Sequence, residues 1–265
     1  MLKLHAVSTG YGKRSATGAV LQSLSCTIPA NKITVLVGPN GSGKSTLLKT
    51  ICGFLPLWSG SVLLQGRTLS DYSLRERAQR IAYVGQNSQL AVSRPDVTVR
   101  ELVLHGRFPY LGFPRRYSAR DQELTEAVLC QLHLEPLAER ALCTLSGGQL
   151  QKAYLAMALC QQTPLLVLDE PLTFLDIRQQ LDLLHTLATL RAEGKTICLV
   201  VHDLQTALTF ADTLLVLSGG AVVAQGAPAT IAAQGVIDTV FSIHTECISS
   251  PHGGKLYTFA PATEL

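Results

Sequence analysis

Charged residues are scarce in this chain. They make up 15% of its 265 residues while 47% are hydrophobic, against a charged share of about 25% in an average soluble domain. A surface so poor in charge is either partly covered by a partner or small beside a large buried sheet. Yet no apolar stretch approaches the roughly 20 residues that a membrane-crossing helix needs, and the N-terminus lacks a signal-peptide pattern. The expectation is a soluble or peripheral protein. Lysine and arginine form no block: Arg75-Glu76-Arg77 with Arg80, and Arg115-Arg116, are short and mixed, and the net charge is only +3. Nothing here would track a phosphodiester backbone, so no nucleic-acid partner is expected. The seven cysteines include no C-x-x-C pair and the seven histidines show no metal-ligand spacing, which excludes a zinc module and points to reduced structural thiols in cytosol. Internal repeats and low-complexity segments are absent.

What is there begins with Gly38-Pro39-Asn40-Gly41-Ser42-Gly43-Lys44-Ser45. Glycine is needed where a backbone bends tightly around anionic oxygens. Before it, Ile33 to Val37 is a β-branched apolar run of strand length; after it, Thr46 to Cys52 reads as a helix stopped by Gly53. Strand, loop and helix together form a phosphate cradle, reinforced by the positive end of the helix. Lys44 would reach the β- and γ-phosphates and Ser45 would ligate Mg²⁺.

Length suits one α/β domain with an insertion. Residues from about Asp96 to Cys160 are mostly helical in pattern, broken at 108–114 and at Pro136. Leu165 to Leu168 and Thr196 to Val201 then read as buried strands of a parallel sheet, with a helix over Leu204 to Ala211. The last stretch reads as hairpins and loops around a short helix. Asp169-Glu170 and His202 each follow one of the buried strands, and ligands of open α/β sheets bind outside the carboxyl ends of strands. One carboxylate can hold Mg²⁺ while the second polarises the attacking water. Taken alone, an acidic pair is more often a helix cap and a lone histidine a structural residue; the four apolar residues before Asp169 and the upstream loop turn the acidic pair toward chemistry, and the place of His202 after a buried strand at the same edge lets it reach the γ-phosphate or the attacking water.

Leu145-Ser146-Gly147-Gly148-Gln149 opens a helix with an apolar stripe at Leu150, Ala153, Tyr154, Met157 and Ala158. It supplies a second amide-rich helix start without a second lysine loop. The ordered set of P-loop, Gln86, L-S-G-G-Q, L-L-V-L-D-E and His202 resembles the nucleotide-binding subunit of an ATP-binding-cassette (ABC) transporter, over nearly the whole chain up to about Gly226.

The resemblance implies a P-loop NTPase (RecA-like) α/β core with a parallel sheet, an N-terminal antiparallel β region and a helical subdomain. The core would be residues 1–86 and 161–240, the helical subdomain 87–160 and a C-terminal tail 241–265. It implies a head-to-tail homodimer in which each ATP lies between the P-loop of one subunit and the L-S-G-G-Q helix of the other. Tyr11 would stack on adenine, and Asn40, Gly41, Ser42, Gly43, Lys44, Ser45 and Thr46 would bind phosphates. Mg²⁺ would be met by Ser45, Asp169 and Gln86, the last also sensing the attacking water. Glu170 would be the general base, His202 the γ-phosphate switch and Asp176 the acid of the loop that crosses the dimer interface. Ser146, Gly147, Gly148 and Gln149 would serve the opposite ATP. The chain departs from the wider pattern at Gly85, where proline is usual, at Leu172 for threonine, and at Leu150 for arginine, with Lys152 keeping a cation nearby.

Thr98 to Val103, His105 to Tyr110, Leu172 to Ile177, Gln180 to Leu184 and Val223 to Pro228 are similar to ATPases of iron-chelate, haem and cobalamin importers, nearest to the siderophore branch. Arg94 to Tyr110 would then receive a membrane permease at the cytoplasmic face of the membrane, with a substrate-binding protein acting indirectly. A soluble ABC ATPase in DNA repair or translation usually carries a coiled-coil insertion or two cassettes, and neither is present. A P-loop kinase or GTPase would lack L-S-G-G-Q.

Overall fold

The computed structural model describes residues 2–12, 18–85, 97–173, 175–249 and 254–262. In chain order its elements are β1 (Leu2–Gly10), β2 (Ala19–Ile28), β3 (Ile33–Val37), α1 (Lys44–Ile51), β4 (Ser59–Leu64), β5 (Arg67–Thr68), α2 (Leu74–Ala78) and β6 (Ile81–Val84). There follow α3 (Val99–His105), α4 (Ala119–Gln131), α5 (Gly147–Cys160), β7 (Leu165–Asp169), α6 (Ile177–Ala192), β8 (Thr196–Val200) and α7 (Leu204–Phe210). The chain ends through β9 (Thr213–Ser218), β10 (Ala221–Gly226), α8 (Pro228–Ala233), α9 (Val236–Phe241), β11 (Ile243–Ser249) and β12 (Lys255–Pro261).

Two compact units divide the chain: Met1–Asp71 with Ala188–Leu265, and Tyr72–Leu187. The first unit holds an antiparallel sheet of order β2-β1-β4-β5 and, in a second sheet, the run β10-β9-β3-β8. There β3 pairs in parallel with both β8 and β9, Leu36 facing Val200 on one side and Leu215 on the other. Every residue of β3 and β8 is buried, the signature of a parallel strand covered on both faces. The β11–β12 hairpin packs Tyr257 against α7, where its amide donates to Gln205 Oε1 at 2.7 Å.

The second unit is mainly helical, with β6 and β7 paired in parallel. The sequence reading placed these strands with 1–86 and 161–240; the second compact unit holds them beside its helices. Gln161 donates its amide to the carbonyls of Ala78 and Ile81, and Leu165 donates to Arg80 O at 3.2 Å. Helices α2, α3, α4 and α5 each begin with a reciprocal capping box, Ser73/Glu76, Thr98/Glu101, Ser118/Asp121 and Ser146/Gln149. Each satisfies two amides that a helix start leaves open. The buried face of α5 differs from the expected stripe: Leu155, Ala156, Leu159 and Cys160 are buried along with Leu150, Ala153, Tyr154 and Ala158, while Met157 is only half-buried.

Arg107 lies inside this unit. Its Nε donates to Asp121 Oδ1 at 2.9 Å and its Nη1 to Cys160 O at 3.0 Å, at the end of α5. Its guanidinium sits 3.9 Å from the centroid of Tyr110, whose hydroxyl donates to Gln161 O at 2.8 Å. Burial pushes the Asp121 carboxyl up, but bonds from Ser118 and Arg107 outweigh it and hold the group below its ordinary value. A depressed carboxylate stabilises the fold above its unfolded pKa, and that contribution is lost as pH falls through the folded value. Arg107→Ala is expected to lower unfolding free energy by about 3–5 kcal/mol, because it leaves a buried charge unpaired. Urea titration at neutral pH checks this, and the deficit should shrink toward acid as Asp121 protonates.

All seven cysteines are free thiols, and burial pushes that of Cys26 up to about 12. No helix among the described residues is long and apolar enough to cross a membrane.

Candidate functional site

In the first unit the loop between β3 and α1 is built by close approach. A side chain at Gly38 would collide with Leu217 O and come within 2.7 Å of Ser42 Oγ. Gly43 caps α1 with φ near +100°, and a Cβ there would stand 2.7 Å from Leu21 Cδ2; only glycine fits both demands. The helix starts at Lys44, two residues before the sequence-predicted Thr46, because Gly43 can take the cap itself.

No acidic residue occupies the first turn of α1, so the positive end of this helix is left for an external anion. Lys44 is 7% exposed and folds over the loop, its Nζ donating to Gly38 O at 2.7 Å and Pro39 O at 3.0 Å. The buried Ser42 hydroxyl finds no hydrogen-bond partner among the described residues. A buried hydroxyl of that kind fits a site that takes an external acceptor, and a phosphate oxygen would be one.

Tyr11 stands beside α1: Thr46 Oγ1 and Lys49 Nζ each lie 3.4 Å from its hydroxyl, and the residue is 54% exposed. His202 lies two residues past the end of β8, after the buried Val201, and is exposed, ahead of Asp203, which caps α7 through a 2.7 Å bond from Thr206 N. Because β3 and β8 run parallel in register, the loop and His202 leave the same edge of the sheet.

In the second unit β6 and β7 bring Gly85 and Asp169 to a common edge, Val84 facing Leu168. Gln86, one residue on, lies outside the described residues, as do residues 94–96 of the anticipated docking stretch. Asp169 ends β7 at 2% exposure and accepts from the Tyr83 hydroxyl at 3.3 Å. Glu170 then takes φ near +56°, a left-handed conformation that costs a non-glycine residue about 1–3 kcal/mol. Strain of this size is tolerated where surrounding structure fixes it.

Ser146 and Gly147 are exposed at the start of α5. Gln149 is engaged within its own loop: its Oε1 accepts from Ser146 N at 3.0 Å while its backbone N–H donates to Ser146 Oγ at 3.3 Å. Asp176 caps α6, accepting from Gln179 N at 2.8 Å, and the side chains of Gln179 and Leu175 lie against Gly148. The Asp176 segment and the L-S-G-G-Q loop therefore pack together. Sequence reasoning missed Tyr83 and the left-handed Glu170; the first needed the β6–β7 register, and the second has no local signature.

The model of the ABC transporter family matches residues 21–173. The chain belongs to the ABC transporter family. It is 38% identical to the ferric enterobactin transport ATP-binding protein FepC of Escherichia coli (strain K12) over 254 residues, 96% of this chain and 91% of FepC. It is 36% identical to the iron(3+)-hydroxamate import ATP-binding protein FhuC of Bacillus subtilis (strain 168), over 96% of this chain and 92% of that one. Among solved structures, the dimeric ATP-binding cassette MJ0796, bound to ADP and Pi after hydrolysis, superposes with a TM-score of 0.75 at 26% identity, covering 86% of this chain and 99% of that one. The chain is thus an ATP-binding ABC ATPase with the mixed α/β fold of these cassettes. Such cassettes form dimers and work with permease subunits.

Proposed function

We propose that this ABC ATPase drives uptake of ferric siderophores through a membrane permease. The observation that carries the reading is similarity along the whole chain, not only at the ATPase motifs, to subunits named for ferric enterobactin and iron(3+)-hydroxamate transport. In this reading two copies pair head to tail at the cytoplasmic face of the membrane. Arg94 to Tyr110 receives the permease, and a substrate-binding protein delivers the cargo.

The half-sites divide the labour. Tyr11 takes the adenine, and Asn40 to Thr46 with Lys44 hold the phosphates. Ser146, Gly147 and Gly148 present helix-start amides to the partner's ATP, and Asp176 crosses to it; Gln149 contributes by holding that loop in its capped form. His202 hydrogen-bonds the γ-phosphate. Glu170 takes the proton of the attacking water, with Gln86 orienting that water. Ser45, Asp169 and Gln86 would hold Mg²⁺, which when bound neutralises charge developing on the phosphates. A hydroxyl, a buried carboxylate and an amide oxygen are the hard oxygen donors that this ion takes.

Cells lacking the gene are expected to lose uptake of ⁵⁵Fe-siderophore and regain it with the intact gene. A permease should accompany the tagged subunit from detergent-solubilised membranes. Unchanged iron uptake alongside lost haem or cobalamin uptake would reassign the cargo, and purification with no permease would overturn the transport role.

A further inference from the structure

Tyr83 faces Val167 across the β6–β7 pair. Alternate residues of a strand share a face, so Tyr83, Val167 and Asp169 lie on one face, and a long ring can reach its diagonal neighbour. It does: the Tyr83 hydroxyl donates to Asp169 Oδ2 at 3.3 Å. Gly85, two residues along the same strand direction, keeps that reach open. A Cβ at Gly85 would stand 2.9 Å from Tyr83 Cε1 and 3.1 Å from its hydroxyl oxygen. Any side chain there, the more usual proline included, competes with the ring for the same space. The departure at Gly85 and the bond to Asp169 are thus one arrangement.

We propose that Tyr83 is a positioning residue for Asp169, fixing the rotation of its carboxylate toward the divalent cation, and that glycine at position 85 is the condition for it. The inference rests on the reading of Asp169 as a Mg²⁺ ligand. A neutral hydroxyl suits the task, because it orients a carboxylate without cancelling the charge that attracts the metal. Partners of this kind typically change metal affinity 10- to 100-fold, and a single long bond belongs at the lower end.

The test is direct metal binding by the full chain: Mn²⁺ is titrated in the presence of a non-hydrolysable ATP analogue and followed by electron paramagnetic resonance. Tyr83→Phe keeps the ring and its packing, and is expected to weaken Mn²⁺ binding about tenfold. Gly85→Ala should weaken it similarly by displacing the ring, yet add nothing in the Tyr83→Phe background. Parent-like affinity in Tyr83→Phe, or an equal further loss from Gly85→Ala in both backgrounds, overturns the proposal. Asp169→Asn separates the two levels. If it binds Mn²⁺ as the parent does, the metal reading itself falls; if it binds poorly while Tyr83→Phe does not, only the role of Tyr83 falls.

Discussion

Glu170→Gln is expected to lower steady-state ATP hydrolysis by about 10²–10⁴-fold, the usual worth of a positioned general base, while leaving ATP binding intact. The substitution is close to isosteric, and neither residue is better suited than the other to the φ of +56° at this position. Backbone strain is therefore the same before and after, and the change isolates the carboxylate's capacity to accept a proton. If each ATP is shared between two copies as proposed, stalled hydrolysis with binding intact should make the closed dimer accumulate. Phosphate release measures the first effect and light scattering with and without ATP the second. Normal turnover by the variant would remove Glu170 from the role of base. Slow turnover without an ATP-dependent dimer would keep the base but contradict the shared-site arrangement.

What could be read from the sequence was what local chemistry determines. β3, its glycine loop and α1 follow from a β-branched run, glycines at fixed spacing and a helix stop at Gly53, and the structure has them in that order. The capping boxes are also written locally, as a serine or threonine three residues before Glu76, Glu101, Asp121 and Gln149. Arrangements made across elements were not legible. Nothing near Arg107 announces Asp121 or the end of α5, and nothing near Tyr83 announces Asp169, because each contact depends on register or on helix crossing. The C-terminal stretch read as one short helix amid hairpins holds two, α8 and α9, parted by Gly235 at φ +68°. The break read at 108–114 contains a 3₁₀ turn at Phe108–Tyr110, whose carbonyls accept from Arg75 and Gln79 across the fold. Composition told least: the scarcity of charge fits both a buried sheet and a covered surface, and the fully buried β3, β7 and β8 satisfy the first reading without deciding the second.

Lys44→Ala should act one step earlier than Glu170→Gln, on binding itself. Lys44 is the ammonium held at the mouth of the loop by Gly38 O and Pro39 O, where a polyphosphate would meet it with little intervening water. Loop amides and the helix end supply partial charges only, so removing the full charge leaves phosphate oxygens without the one side-chain cation of the 38–46 loop. Truncating one member of a desolvated, hydrogen-bonded charge pair costs about 2–5 kcal/mol, or roughly 30-fold to a few thousand-fold in Kd. The lysine also ties two carbonyls of its own loop, so part of the loss would come from a cradle no longer held in shape. Lys44→Arg should recover little, since a planar guanidinium cannot occupy the place of a compact ammonium with the same two bonds. Calorimetric titration with ATP measures the affinities, and thermal unfolding without nucleotide shows whether the variants remain folded. A folded Lys44→Ala chain that binds ATP within twofold of the parent would rule out the cradle as the seat of phosphate recognition.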